Sequence, residues 1–301
     1  MPIGLITPMD QGKTMVEDVT DLITNVSYAT TPFYSSLAES QATNTLHSWL
    51  TDSYATSADN AAIEGNDISF TDASVPSRSP NIVQLFQKDI RVSNTEQRVA
   101  HYGMSDPYTY QLKKKLVETA RDIEKALVAG TTASGSSGVA RRLNGAIALI
   151  TTNKTARNSG TSLSETEFND ILQGIYDSGT DISVDKAFTG AALKRVISGY
   201  TAGSTKFTQA EGNKLYNTFS VYESDFGVVT VYLEREVPTT AGNKGILLVD
   251  SSKWRVAYLT DGRPQHIPLA TIGSAKRGML EAELTLEALN QASSAYREGY
   301  I

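Results

Sequence analysis

The run SDPYTYQLKKKLVETARDIEKALVAG, from Ser105 to Gly130, limits what this chain can fold into more than any other part of it. It specifies a long helix with both ends marked. Asp106 offers oxygens to the first free backbone N–H groups, Pro107 stands where a missing donor costs nothing, and Gly130 is placed to close the helix in a left-handed conformation. Tyr108, Leu112, Leu116, Ala120, Ile123 and Leu127 recur at steps of three and four, which predicts one apolar stripe. Lys113, Lys114, Glu118, Arg121, Asp122 and Lys125 fill the remaining surface. At 1.5 Å per residue the span from Pro107 to Ala129 is roughly 34 Å, close to the diameter of a small domain. The rest of the chain has to be arranged along this spine.

There is enough chain to do so. With 301 residues, 40% of them hydrophobic and 20% charged, one large or two modest cores can form. No cysteine is present, so disulfides, thiolate metal sites and a cysteine nucleophile are excluded, and a reducing cytoplasm is the simplest compartment. No apolar run approaches 18 residues and the start, MPIGLITPMDQGK, lacks the pattern of a signal peptide. A soluble chain without membrane contact is expected. The net charge of −6 runs against tight, sequence-independent binding to phosphate backbones, which is driven by cationic surfaces.

Taken in order, residues 1–13 read as an extended arm. Val16, Val19, Leu22, Ile23 and Val26 then follow helical spacing until Thr31-Pro32 breaks it. Thr43–Ala55 and Asn81–Val92 are rich in β-branched and aromatic residues with partial alternation, predicting two strands. Between them Thr56–Pro80 is polar, and a lone two-stranded ribbon is barely stable in water, so the ribbon should lean on a neighbour. After the spine, GTTASGSSG reads as a flexible linker, with a new unit from about Arg141. Ser164 and Glu167 form a capping box, and Leu163 with Phe168 a hydrophobic staple, at the head of a helix running to about Gly179. Lys186–Thr189 reads as a buried strand and Ala191–Ser198 as a helix closed by Gly199. Thr218–Gly227 and Val228–Val237 predict a hairpin, followed by strands at GILLVD and WRVAYLT. MLEAELTLEAL suits a helix by composition, but its sustained alternation of Leu280, Ala282, Leu284 and Leu286 with glutamates predicts a long strand.

Catalytic signals are weak. Gly12-Lys13-Thr14 resembles the end of a phosphate loop, yet the first glycine of that motif would fall at Thr7 and Pro8 interrupts it. His47, His101 and His266 have no second ligand at metal-binding spacing, and no nucleophile signature is present. Glu281, Glu283 and Glu287 read as a solvated strand face or a contact to basic groups, and Lys113–Lys115 as an ion-paired helix surface near Glu118. No catalytic residue, cofactor or metal is assigned. The arm and the ribbon have no core of their own, which is the profile of an assembling protein.

Several short stretches, in this order, are familiar together: Thr31-Pro32-Phe33, His47-Ser48-Trp49 with Asp52, Glu64-Gly65, Asn81-Ile82-Val83-Gln84, Val92-Ser93-Asn94-Thr95, Tyr102-Gly103 and Arg121-Asp122-Ile123-Glu124. Asn144-Gly145, the Ser164 helix, Asp225-Phe226-Gly227-Val228, Leu248-Val249-Asp250 with Trp254, and Lys276-Arg277-Gly278 with Glu283 and Leu286 continue the series. Over nearly its whole length the chain resembles the major capsid proteins of tailed bacteriophages.

That resemblance implies an α+β, Hong Kong 97-like phage capsid fold with an N-terminal arm at 1–41 and an extended loop at 42–99. A peripheral domain with the spine helix would follow at 100–143, then an axial α/β domain at 144–238. Terminal strands at 239–301 would return from the axial to the peripheral domain. It further implies hexamers and pentamers closing into an icosahedral head around double-stranded DNA, assembled in the host bacterial cytoplasm. The expected partners are a separate scaffolding protein, a portal and a decoration protein, in a shell without covalent cross-links. Phe33, Trp49, Phe86, Lys113, Lys114 and Arg121 are the expected interface residues, with loss of Trp49 or Phe86 impairing assembly more than folding. The alternatives are another shell protein of the same fold, such as an encapsulating compartment or minor head protein, or an enzyme whose site forms no motif.

Overall fold

The computed structural model describes residues 30–65, 67, 70, 72, 74–178, 183–200, 221–240 and 242–301. The expected helix around Val16–Val26, the Gly12-Lys13-Thr14 turn, Gly179 and the start of the hairpin at Thr218 lie outside these residues.

The spine forms as α2, Pro107–Ala129. Asp106 caps it, accepting from the Tyr108 amide at 3.0 Å and the Thr109 hydroxyl at 2.6 Å. Two details differ from the sequence expectation. Leu116 is exposed, and the buried face runs instead through Tyr108, Thr119, Ile123, Glu124, Leu127 and Val128, because the lower half of the helix is covered on more than one side. Gly130 ends the helix in an extended conformation, φ −61° and ψ 145°, not a left-handed one. A glycine is needed there for space: a Cβ would overlap the Ala126 carbonyl, and Gly145, whose amide donates to the Gly130 carbonyl at 3.0 Å, is pressed against the same spot.

Two sheets flank the spine. The first is built on β13, Ala275–Ala288, the long strand expected from the leucine–glutamate alternation. One edge of β13 pairs antiparallel with β4, Gln84–Ser93. The other pairs antiparallel with β12, Gln265–Leu269, and then β11, Trp254–Leu259, and β11 pairs in parallel with β1, Ala38–Ala42. Ile123, Leu127 and Val128 of the spine pack on Phe86, Ala282, Leu284, Leu286, Trp254 and Val256. At the spine's N-terminal end Tyr108 joins Ile90, Val92 and Leu280 in a smaller cluster.

The second sheet runs β5 (Lys154–Thr161), β14 (Ala295–Tyr300), β10 (Asn243–Val249), β6 (Lys186–Thr189), β8 (Gly227–Leu233) and β7 (Val221–Ser224), with the short β9, Thr239–Thr240, alongside β10. Helices α4, Glu165–Asp177, and α5, Ala191–Gly199, cover it. The Ser164–Glu167 capping box is present, and Leu163 and Phe168 share a cluster. Strand β10 explains its own unbroken apolar run: Ile246 and Leu248 face the α4–α5 core while Leu247 and Val249 face the spine core. The two cores therefore share this strand.

The segment after the spine is not a loose linker. Residues 133–142 double back, with Ala133 bridged to Arg142 and Ser136 to Val139, the turn using left-handed Gly135 and Gly138. Leu143, Ala146 and Ile150, with the short helix α3, Ala146–Leu149, belong to the spine core. Thr31 is non-helical, and Pro32, whose fixed φ suits a first helical turn, opens a short helix not expected from the sequence, α1, Pro32–Ser36.

Candidate assembly surfaces

Beside the two sheets stands a ribbon of β2, Leu46–Thr51, and β3, Ser77–Ile82, paired antiparallel from Leu46–Ile82 to Thr51–Ser77. Pro80, expected in the tip, lies within β3; it is tolerated there because β3 pairs with β2 alone, leaving its other edge free of ladder bonds. Among the described residues between Thr51 and Ser77 there is no further strand.

The ribbon's two faces differ. Trp49, 8% exposed, turns inward to the spine core, and His47 stands 3.9 Å from Glu287. Asn81 anchors the base, its Nδ2 donating to the carbonyls of Asn144 (3.0 Å) and Leu286 (2.8 Å) while its Oδ1 accepts from the amides of Asn144 and Ile82. The opposite face presents Leu46 and Leu50, and beyond it Tyr54, Ile63, Phe70 and Val75 are exposed. Large apolar side chains left in water make this side of the ribbon a candidate contact surface.

Two open grooves border the spine. One, of about 440 Å³, lies between β4 and the helix's C-terminal half among Leu85, Gln87, Asp122, Lys125 and Arg142. The other, also about 440 Å³, lies at the N-terminal half among Arg91, Glu96, Met104, Gln111 and Lys115. Lys88 pairs with Asp122 at 2.7 Å across the first. Lys115 pairs with Glu118 at 2.9 Å, and this hydrogen bond holds the Glu118 carboxyl below its usual range.

Of the six residues expected at interfaces, Lys113 and Lys114 are exposed and Arg121 is half-buried on the spine. Phe33, Trp49 and Phe86 are not: they are 0%, 8% and 7% exposed and complete the subunit's own core, Phe33 edge-on to Phe188 at 5.3 Å. Their apolar character fills the subunit's own interior. The glutamates of β13 are likewise engaged internally, Glu281 with Gln87, Glu283 with Arg141 and Glu287 with Ser40. Sequence reasoning passed over Glu124, which is 2% exposed on the spine and accepts the Phe33 and Tyr34 amides, each at 2.7 Å. Burial, and next the contact of the Glu234 carboxyl, push it up to about 9. In the sequence it stands in the Arg121-Asp122-Ile123-Glu124 stretch and between Ile123 and Leu127 of the apolar stripe, and neither position gave it a role.

The histidines stay apart: His101 contacts the Glu96 carbonyl at 2.9 Å and His266 the Tyr108 hydroxyl at 2.8 Å. Among the described residues no group of three or more metal-type side chains converges, and no helix is long and apolar enough to cross a membrane.

A family model for the SU10 major capsid protein matches residues 6–299. The chain belongs to this family of structural capsid proteins. A second likeness is local: this capsid-family chain is 36% identical over 101 residues to the major capsid protein of Escherichia phage Phieco32, covering 33% of this chain and 29% of that protein. Among solved structures, the capsid of a native GTA particle superposes with a TM-score of 0.68 at 11% identity, covering 99% of this chain and 100% of the other. The capsid of Myoviridae phage XM1 gives 0.65 at 12% identity, over 98% and 99%. The SrpI encapsulin of Synechococcus elongatus PCC 7942 gives 0.60 at 9% identity, over 99% and 96%. The fold is the α+β, Hong Kong 97-like capsid fold.

Proposed function

We propose that this chain is the major capsid protein of a tailed bacteriophage, assembling as hexamers and pentamers into an icosahedral head around packaged double-stranded DNA. The family match over residues 6–299 carries this reading, and the outward apolar face of the ribbon supports it. On this reading residues 1–41 form the N-terminal arm and 42–99 hold the extended loop, whose ribbon is β2 with β3; the strand expected at Asn81–Val92 divides after Ile82, and its larger part, β4, pairs with β13 in the first sheet. Residues 100–143 form the peripheral domain, 144–238 the axial domain, and 239–301 strands that contribute to both sheets, as β10 and β14 in one and β11–β13 in the other support. The subunit contacts are carried by Leu46, Leu50 and the apolar residues beyond them, with Lys113, Lys114 and Arg121 on the spine. The protein resides in the virion and is assembled in the bacterial cytoplasm with a scaffolding protein and a portal.

Electron microscopy with light scattering, on the protein expressed alone and with its scaffolding partner, tests this. Closed shells or extended sheets in either sample are expected. A monodisperse monomer in both would overturn the reading. Shells that retain a protein cargo and exclude DNA would place the chain with the compartment-forming branch of the fold instead.

A further inference from the structure

Glu124 sits under the short helix α1, and its oxygens take the amides of Phe33 and Tyr34, the first N–H groups that helix has after Pro32. The Glu234 carboxyl, just beyond β8 and 3% exposed, is close enough to raise the Glu124 carboxyl further. Glu234 accepts the Glu236 amide at 2.9 Å on Oε1, while no N–H or hydroxyl donor reaches Oε2. Ionised carboxylates only accept hydrogen bonds, so two of them can bond only around a proton.

We propose that a proton shared by the buried Glu124 and Glu234 carboxyl groups fastens the arm helix to the spine, so that the attachment loosens as the pH rises and tightens as it falls. Three separate parts of the chain meet at this proton: α1, the spine, and the end of β8. The other charged or titratable groups around them are Tyr34 on α1, bonded to Tyr258 at 2.6 Å, and Lys186 on β6, directed at the Ser36 carbonyl and Asp185. Arg235 and Glu236 follow Glu234, Lys244 comes from β10, and Arg121 and Lys125 flank Glu124 on the spine. A cavity of about 790 Å³, lined by Pro32, Leu193, Tyr232, Glu234 and Lys244, borders the Glu234 side of the pair and the start of α1.

The direction follows from the proton count. Glu124 is held protonated up to about 9, mainly by burial, against an ordinary value of 4.5. Between those values the fastened state holds a proton that the released state gives up, so fastening weakens as pH rises, at the limit about tenfold per pH unit, and levels off above the upper value. Only the consequence for a shell, a proton-dependent departure of the arm, rests on the capsid reading.

Hydrogen exchange of the full-length protein between pH 6 and pH 9, corrected for intrinsic exchange rates, reads this directly. Protection of the amides of residues 33–36 should fall about a hundredfold or more over that range while α4 stays unchanged. In E234Q, whose amide can donate to an ionised Glu124, the part of the shift that comes from Glu234 is lost and the slope should become shallower, with burial still acting on Glu124. A flat wild-type profile, an unchanged slope in E234Q, or parallel loss of protection in α4 would overturn the proposal. If E234Q does not fold, infrared spectroscopy of the wild type decides: a protonated-carboxyl band present at neutral pH and lost above about pH 9 supports it, and no band at neutral pH refutes it. None of these readouts depends on assembly, so failure to form shells would count against the capsid reading alone.

Discussion

Asn81 is satisfied at every position of its amide, and that is why a polar side chain 3% exposed can stand at the base of the ribbon. Replacing it with leucine would leave the Asn144 amide and the Leu286 carbonyl buried and unpaired, at about 1–3 kcal/mol for each stranded group. Urea unfolding of Asn81→Leu should therefore show a loss of about 3 kcal/mol, and a loss under 1 would mean that water replaces the bonds. Glycines at this scale divide by their surroundings. A Cβ at Gly145 would lie 2.5 Å from the Gly130 nitrogen and 2.8 Å from the Ala126 carbonyl oxygen, whereas one at Gly174 in α4 meets nothing. Gly145→Ala should destabilise by about 2 kcal/mol or more, through the forced shift of buried backbone. Gly174→Ala should stabilise by about 0.4–1 kcal/mol by restricting the unfolded chain and improving helix propensity. Thermal melts of the pair would reverse this argument if their signs were exchanged. The sequence marked Gly130 as special but not why: a letter G reports freedom of φ and lack of a side chain alike, and only packing tells them apart.

Elements whose signals are local were legible. The Asp106-Pro107 start of the spine and the Ser164–Glu167 capping box depend on residues three or fewer apart, and both form as read. Ser164→Ala should accordingly cost about 1 kcal/mol in denaturant stability, since it strands the Glu167 amide that the hydroxyl accepts at 3.2 Å. A loss below about 0.3 kcal/mol would show that the exposed helix end relies on water. Elements whose fate depends on distant partners were less legible. Alternation separated Trp49 from Leu50, but period two states only that the faces differ, not which one meets the subunit's own core. The same limit hid the two-faced burial of β10, and the residues read as a linker at 133–138 owe their order to bridges with Val139 and Arg142. The expected interface aromatics fell inside for this reason: large apolar residues serve a core and a partner equally well, and the choice is made by the fold around them.

At the scale of the whole molecule, the described residues of the two sheets and the spine enclose two large cores, and the ribbon's outer face is one of the apolar surfaces they leave exposed. This separates two classes of substitution on one ribbon. Trp49→Ala removes a side chain from the spine core and should lower subunit stability by about 3–5 kcal/mol. Leu46→Ser with Leu50→Ser touches only exposed positions, so the isolated subunit should keep its stability to within about 0.5 kcal/mol for each change. Assembly should respond in the opposite order of directness. A closed shell repeats each contact many times, so a small loss per contact is multiplied, and the double serine variant should need a subunit concentration at least tenfold higher to assemble. Light scattering against concentration, with melting of the unassembled subunit as the control, measures both. Unchanged assembly with an unchanged melt would remove the ribbon's outer face from the contact and move the search to the grooves beside the spine. A lowered melt would mean that the outer face is part of the fold after all.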